Sequence, residues 1–198
     1  MAVVRASSTT KLYINGSLGA TVSSDTTNYT GTYLGIGGYY STSYLFNGFI
    51  SNLRIIKGAA LYTANFAPPL TPPTAITNTQ LLTNFTNAGI YDSTAKNVLE
   101  TVGTAQISTT QSKFGGSSMS FNGTTDYLKS TYIRPIWEFY TGDFTIEAWV
   151  YWTGLGSNSA ICGQGANISD ANRIGFIIVN DGTLELIGSS VVAANILI

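Results

Sequence analysis

The chain has 198 residues, of which 9 are Lys or Arg, 10 are Asp or Glu and none is His; the charged fraction of 10% is well under the roughly 25% of an ordinary soluble domain. A net charge of -1 leaves no basic footprint for phosphate contacts, which argues against nucleic acid and anionic membrane as partners. With no histidine and one cysteine, the chain cannot build a Ser-His-Asp triad, a Cys-His pair, a His-ligated metal site or an internal disulfide.

Residues 2–5 open as a strand with no lead-in, residues 11–14 form the next, closed by Asn15-Gly16, and residues 33–36 form a third. The loop 37–46 carries Tyr39, Tyr40 and Tyr44 among small residues, a composition that offers rigid amphipathic contact area. The other reading is a hairpin whose tyrosines pack on the body of the fold. A strand over 49–56 follows. Pro68, Pro69, Pro72 and Pro73 then come within six residues, and proline's missing N–H makes this an extended connector. Beyond it, strands are expected over 80–85, 118–121, 144–152, 175–179 and 183–187, with Asn122-Gly123 and Asp181-Gly182 as turns. Asn-Gly and Asp-Gly supply the positive φ angles of type I′ hairpins. No helical periodicity with caps interrupts the strands. The 47 Ser and Thr, 21 Gly and 15 Asn that replace charges also favour strands and turns. The fold class is all-β, an antiparallel β-sandwich or jelly roll.

The connector, residues 68–77, divides the chain into 1–67 and 78–198, and neither part alone has the strands of a whole sandwich. Residues 191–198 read as a strand on which the chain is cut; these eight residues are far short of the roughly 20 that span a bilayer. The start shows no secretory signal pattern. Five Asn-x-Ser/Thr triplets, at Asn15, Asn28, Asn84, Asn122 and Asn167, are close to the number chance gives in this composition.

Before the connector, Lys11-Leu-Tyr-Ile-Asn-Gly16, Leu34-Gly-Ile-Gly-Gly38, Phe46-Asn-Gly-Phe-Ile-Ser-Asn-Leu-Arg-Ile55 and Tyr62-Thr-Ala-Asn-Phe-Ala-Pro-Pro69 resemble the C-terminal half of a laminin-G-like domain of the concanavalin A-like lectin/glucanase superfamily. After it, Gln80-Leu-Leu-Thr-Asn-Phe85, Asp92-Ser-Thr-Ala-Lys-Asn97, Lys113-Phe-Gly-Gly-Ser-Ser118, Phe121-Asn-Gly-Thr-Thr-Asp-Tyr-Leu128 and Gly142-Asp-Phe-Thr-Ile-Glu-Ala-Trp-Val150 resemble the N-terminal half of the same domain. The version with Lys-Phe-Gly-Gly-Ser-Ser is similar to modules found in tandem in phage virion and tail proteins and in bacterial surface proteins. The resemblance implies a concanavalin A-like jelly roll serving as a non-catalytic recognition module, for carbohydrate binding or adhesion, at a virion or cell surface. Its implied partners are glycans and other modules of the same protein. A purely structural spacer or decoration module with no soluble ligand is the alternative. The reversed order of the halves leaves two readings: a window cut from a tandem array, or one sandwich closed in circularly permuted order, which close-lying termini tolerate.

The strand over 144–152 alternates, with Phe144, Ile146, Ala148, Val150 and Trp152 facing the core and Asp143, Thr145, Glu147, Trp149 and Tyr151 facing away. Carboxylate, hydroxyl and aromatic groups on one face suit the hydroxyls and C–H faces of sugars. Glu147, Trp149 and Tyr151 therefore join Tyr39, Tyr40 and Tyr44 as candidate ligand-binding residues. The competing expectation covers this face and pairs Glu147 with Arg54 or the backbone of a neighbouring strand. Strand rise puts Asp143 and Glu147 about 13 Å apart, beyond the roughly 5–9.5 Å of glycosidic hydrolysis, and the Glu-x-Asp-x-x-Glu strand of the superfamily's glucanases is missing. No catalytic residue is assigned and no enzyme is expected. Gly35-Ile-Gly-Gly38 reads as strand and turn, because no helix follows to receive a phosphate. Calcium, frequent in laminin-G-like domains, is the one cofactor to weigh. The loop carboxylates Asp25, Asp92, Asp126, Asp170 and Asp181 are well separated in sequence, whereas calcium wants six to eight converging oxygens. Ser51-Asn52 also stands where family members often carry acidic residues. Cys162 reads as a small buried hydrophobe.

Overall fold

Asn15 and Gly16 take φ angles of 50° and 81°, so the Asn-Gly dipeptide makes the tight turn its chemistry favours. The strands described before the connector are β1 (Ala2–Ala6), β2 (Thr9–Ile14), β3 (Ser17–Val22), β4 (Leu34–Ile36) and β5 (Asn47–Lys57), and the turn joins β2 to β3. The strands described after the connector are β6 (Thr79–Thr83), β7 (Leu99–Val102), β8 (Gln106–Ser108), β9 (Ser118–Asn122), β10 (Tyr127–Ser130), β11 (Phe144–Trp152), β12 (Ser159–Gln164), β13 (Ile174–Ile178), β14 (Leu184–Ile187) and β15 (Val192–Ala194). These come from a computed structural model that describes every residue except 40–43, 87–88, 131–134, 155–156, 166–171, 189–191 and 195–198, with 192–194 described by their backbone alone. Among the described residues the helical element is the 3-10 turn Pro135–Trp137, and no helix is long and apolar enough to cross a membrane.

The expected all-β, antiparallel architecture is what the chain adopts. The larger sheet runs β3-β2-β1-β11-β5-β9-β8, with β6 also paired to β5. The smaller runs β15-β14-β13-β12-β4-β10-β7. β5 is long enough to serve three partners: β11 along one edge, then β9 at Asn47–Ile50 and β6 at Leu53–Ile56 along the other. The handover between β9 and β6 falls at Asn52, whose φ of 54° marks a bulge that shifts the β5–β11 register between Glu147 and Trp149.

Strands from before and after the connector interleave. β11 stands between β1 and β5, and β4 stands between β12 and β10. Neither segment completes a sheet by itself. The inner faces of both sheets share one core, which joins Val3, Leu12, Ile50, Phe144 and Ile146 to Ile36, Leu128, Cys162, Phe176 and Leu184. Trp137, fully buried, belongs to the same cluster, and burying a side chain of this size contributes roughly 2–3 kcal/mol before entropy is counted.

The segment that follows β5 does not hang free. Tyr62 and Phe66 stack at 3.5 Å between ring centroids and, with Ala60, cover Ala2, Val4 and Tyr13, forming a second small core on the outer face of the larger sheet. The Phe66 amide donates to the Gly16 carbonyl at 3.0 Å. A Cβ on Gly16 would lie 1.8 Å from the Phe66 oxygen, so the turn glycine is also the seat of the connector.

Candidate functional site

The outer face of β11 changes character along its length. At its start, Thr145 is buried and exchanges hydrogen bonds with the connector's root: the Leu61 amide donates to Thr145 Oγ1 at 2.9 Å, and that hydroxyl donates to the Ala59 carbonyl at 3.1 Å. Glu147 comes next. Arg54 Nε donates to its Oε1 at 2.6 Å, Arg54 Nη2 closes an ion pair on the same oxygen, and the Tyr62 hydroxyl donates to Oε2 at 2.7 Å. Burial, then the Glu147 charge, push the Tyr62 phenol well above its ordinary value, so it stays protonated as a donor. Arg54 Nη1 reaches on to the Thr74 carbonyl at 2.8 Å. Glu147 is thus committed to holding the connector down, and its pairing with Arg54 is the arrangement the alternating pattern offered as the competing expectation.

Beyond the bulge the outer face opens, with Pro68, Pro69 and Pro73 of the connector still lining a small pocket together with Trp149. Trp149 is half-buried and Tyr151 is 53% exposed. Phe49, directly opposite Tyr151 across the β5–β11 ladder, meets it edge-on at 6.2 Å. The loop after β8 forms a wall beside them. Phe114 stands edge-on to Trp149 at 5.9 Å, and Lys113 Nζ lies 4.3 Å from the centre of the Trp149 ring. Ser118 Oγ donates to the Gln111 carbonyl, which ties the wall to β9. The result is an open cleft of about 130 Å³ with Phe49, Trp149 and Tyr151 at its base and Gln111, Ser112 and Lys113 at its rim. Aromatic faces beside amide and hydroxyl groups can stack on an apolar ring face while bonding its polar edge.

The tyrosine loop lies elsewhere. Tyr39 is 1% exposed and packs with Ala160, Ile177 and Tyr44 on the smaller sheet. Gly163 and Gly175 are register partners on β12 and β13, and a Cβ at Gly175 would come 1.5 Å from the Tyr39 hydroxyl oxygen. The paired glycines open a slot that the ring fills, so Tyr39 has no face left for a ligand. Tyr44 meets Tyr39 edge-on at 5.8 Å and is half-buried. Tyr40 lies outside the described residues. Of the six candidates, then, the fold brings Trp149 and Tyr151 together, binds Glu147 under the connector, and puts Tyr39 and Tyr44 on the other sheet.

The loop carboxylates among the described residues are each occupied by protein donors. Asp92 accepts from the amides of Leu82, Thr94 and Asn97 and from the side chains of Thr94 and Asn97. Asp126 accepts from the Thr104 and Asn122 amides, and Asp181 from the Thr183 amide. Asp25 accepts from Thr10 Oγ1 at 2.6 Å and lies 3.9 Å from Arg5 Nε. Asp170 lies outside the described residues. Among the described residues no three His, Cys, Asp or Glu side chains gather as a metal site would require. The Asp92-to-Asn97 and Asn122-to-Asp126 motifs act here as carboxylate- and amide-centred turns.

Phe49, Gln111, Ser112, Lys113 and Ser118 are not among the candidate binding residues read from the sequence, although Phe49, Lys113 and Ser118 fall within the motifs that carry the resemblance. They reach the cleft through the β5–β11 and β8–β9 pairings, and no local spacing announces that. No family model, curated protein or solved structure matches the chain.

Proposed function

We propose that the chain is a non-catalytic recognition module that binds carbohydrate on the Trp149–Tyr151 cleft, within a larger virion or cell-surface protein. The observation that carries this is the cleft itself: the three rings of Phe49, Trp149 and Tyr151 lie beside the polar rim of Gln111 and Ser112 on the outer face of the larger sheet. Sugars are held in this way, with C–H faces on aromatic rings and hydroxyls on amides and hydroxyls.

The fold reading that accompanies it is a laminin-G-like, concanavalin A-like jelly roll closed in permuted order. The reversed motif order and the interleaving of strands from 1–67 and 78–198 in both sheets support it. A second reading, a structural module with no soluble ligand, draws on one observation: the Lys113 ammonium already occupies a face of Trp149. A glycan array, probed with and without calcium, separates the two. Binding that Trp149→Ala abolishes supports recognition; silence across neutral and acidic glycans in both conditions leaves the structural module.

A further inference from the structure

Lys113 is the single charged side chain among the described residues lining the cleft. Its ammonium lies 4.3 Å from the Trp149 ring centre and 5.9 Å from that of Phe114, and among the described residues no ion pair engages it. In a chain with only 19 charged residues in all, 9 basic and 10 acidic, a lone cation set against the ring at the base of an open cleft is a specific feature.

Its energetics differ for two kinds of ligand. A neutral sugar that stacks on the covered face of Trp149 must displace the ammonium and forfeit its cation–π contact. An acidic sugar displaces it too, but offers a carboxylate or sulfate in return, and charge-assisted hydrogen bonds are about twice as strong as neutral ones. No carboxylate in the described lining would repel that anion. The long flexible stem of lysine lets the ammonium swing from the ring to the rim without moving the backbone.

We infer that the cleft selects acidic glycans, with the C–H face of an anionic sugar on Trp149 and its acid group on Lys113. This inference rests on the carbohydrate-binding reading and deepens it. The test is an array carrying uronate-, sialate- and sulfate-bearing glycans, each beside its neutral methyl-ester, reduced or desulfated counterpart, probed with wild type, Lys113→Gln and Trp149→Ala. Lys113 is exposed, so Lys113→Gln retains the wild-type circular dichroism and melting temperature. The expected result is an acidic-over-neutral preference of roughly fivefold or more in wild type, weakened by added salt as an exposed charge pair must be. Lys113→Gln removes the preference, weakening acidic binding and, with no ammonium to displace from Trp149, tightening neutral binding by up to a few-fold, about what one exposed cation–π contact is worth; Trp149→Ala removes both. The uronate and sulfate arms tell which acid group the site takes. Equal or better binding of the neutral partners, unchanged in Lys113→Gln, overturns the inference and leaves carbohydrate binding standing. Silence on every spot overturns both.

Discussion

Arg54 Nε lies 2.6 Å from Glu147 Oε1, joining two side chains 93 positions apart in a pair that is 7% and 10% exposed. Tyr62 and Thr74 complete its hydrogen bonding from the connector side, so one polar cluster ties β5 to β11 and both to the segment that crosses them. Removing one member of a buried pair strands the other charge, which costs about 3 kcal/mol or more. Arg54→Met is expected to lower unfolding free energy in urea by about that amount and to speed proteolysis within residues 66–76. The double variant Arg54→Met with Glu147→Gln, which strands no charge, is expected to recover part of the loss. Equal loss in the double variant would show that the pair's charges do not matter.

Tyr39 and Gly175 form a second long-range fit. Because a Cβ at Gly175 would collide with the Tyr39 ring, Gly175→Ala is expected to destabilise the fold by roughly 1–3 kcal/mol, as overpacking does. In the Tyr39→Ala background the same substitution has room and costs less. A double-mutant cycle by chemical denaturation measures the coupling, and additive effects would contradict the slot.

Asp25 sets an acid limit on stability. Burial raises its carboxyl, but hydrogen bonds from Thr10 and Thr27 and the charge of Arg5 outweigh burial and hold it below its ordinary 3.8. A carboxyl depressed on folding contributes stability that is fully present above the unfolded-state value of about 3.9 and is lost as pH falls through the lower, folded value. Wild type should therefore lose stability below about pH 4. Asp25→Asn should be less stable at neutral pH by about 2 kcal/mol and show a flatter profile in that acid window. A parallel pH profile for both proteins would rule Asp25 out as the source.

Much of this architecture was legible from the amino acids. Alternation in 144–152 gave the strand, its inner face and the outward pair Trp149 and Tyr151; Asn15-Gly16 and Asp181-Gly182 gave the turns. Cys162 is buried, as its reading as a small hydrophobe anticipates. What local sequence does not carry is pairing. Phe49 reaches Tyr151, and Lys113 reaches Trp149, through ladders between distant strands. Tyr39 is buried because two glycines on adjacent strands fall in register, a coincidence no window of sequence displays. Asp92 and Asp126, weighed above as calcium ligands, have donors within a few residues of themselves, a short-range pattern that Asx-turn chemistry makes readable.

Cys162 supplies an independent probe of the packed state. Burial pushes its thiol up to about 12, so at pH 8 almost no thiolate exists to react. Thiol-specific reagents are expected to label it only as fast as the protein unfolds, with the rate rising in denaturant. Stoichiometric labelling in native buffer, independent of denaturant, would contradict the core described.

The central claim concerns Trp149. The chain has three tryptophans, and Trp137 is fully buried, so their indole N–H signals distinguish cleft from core. Titrating a glycan identified on the array into isotope-labelled protein should shift the Trp149 indole signal and leave that of Trp137 in place, with Tyr151→Ala weakening the binding. A glycan that binds without moving Trp149, or binds Trp149→Ala as tightly as wild type, would contradict the assignment of the cleft as the recognition site.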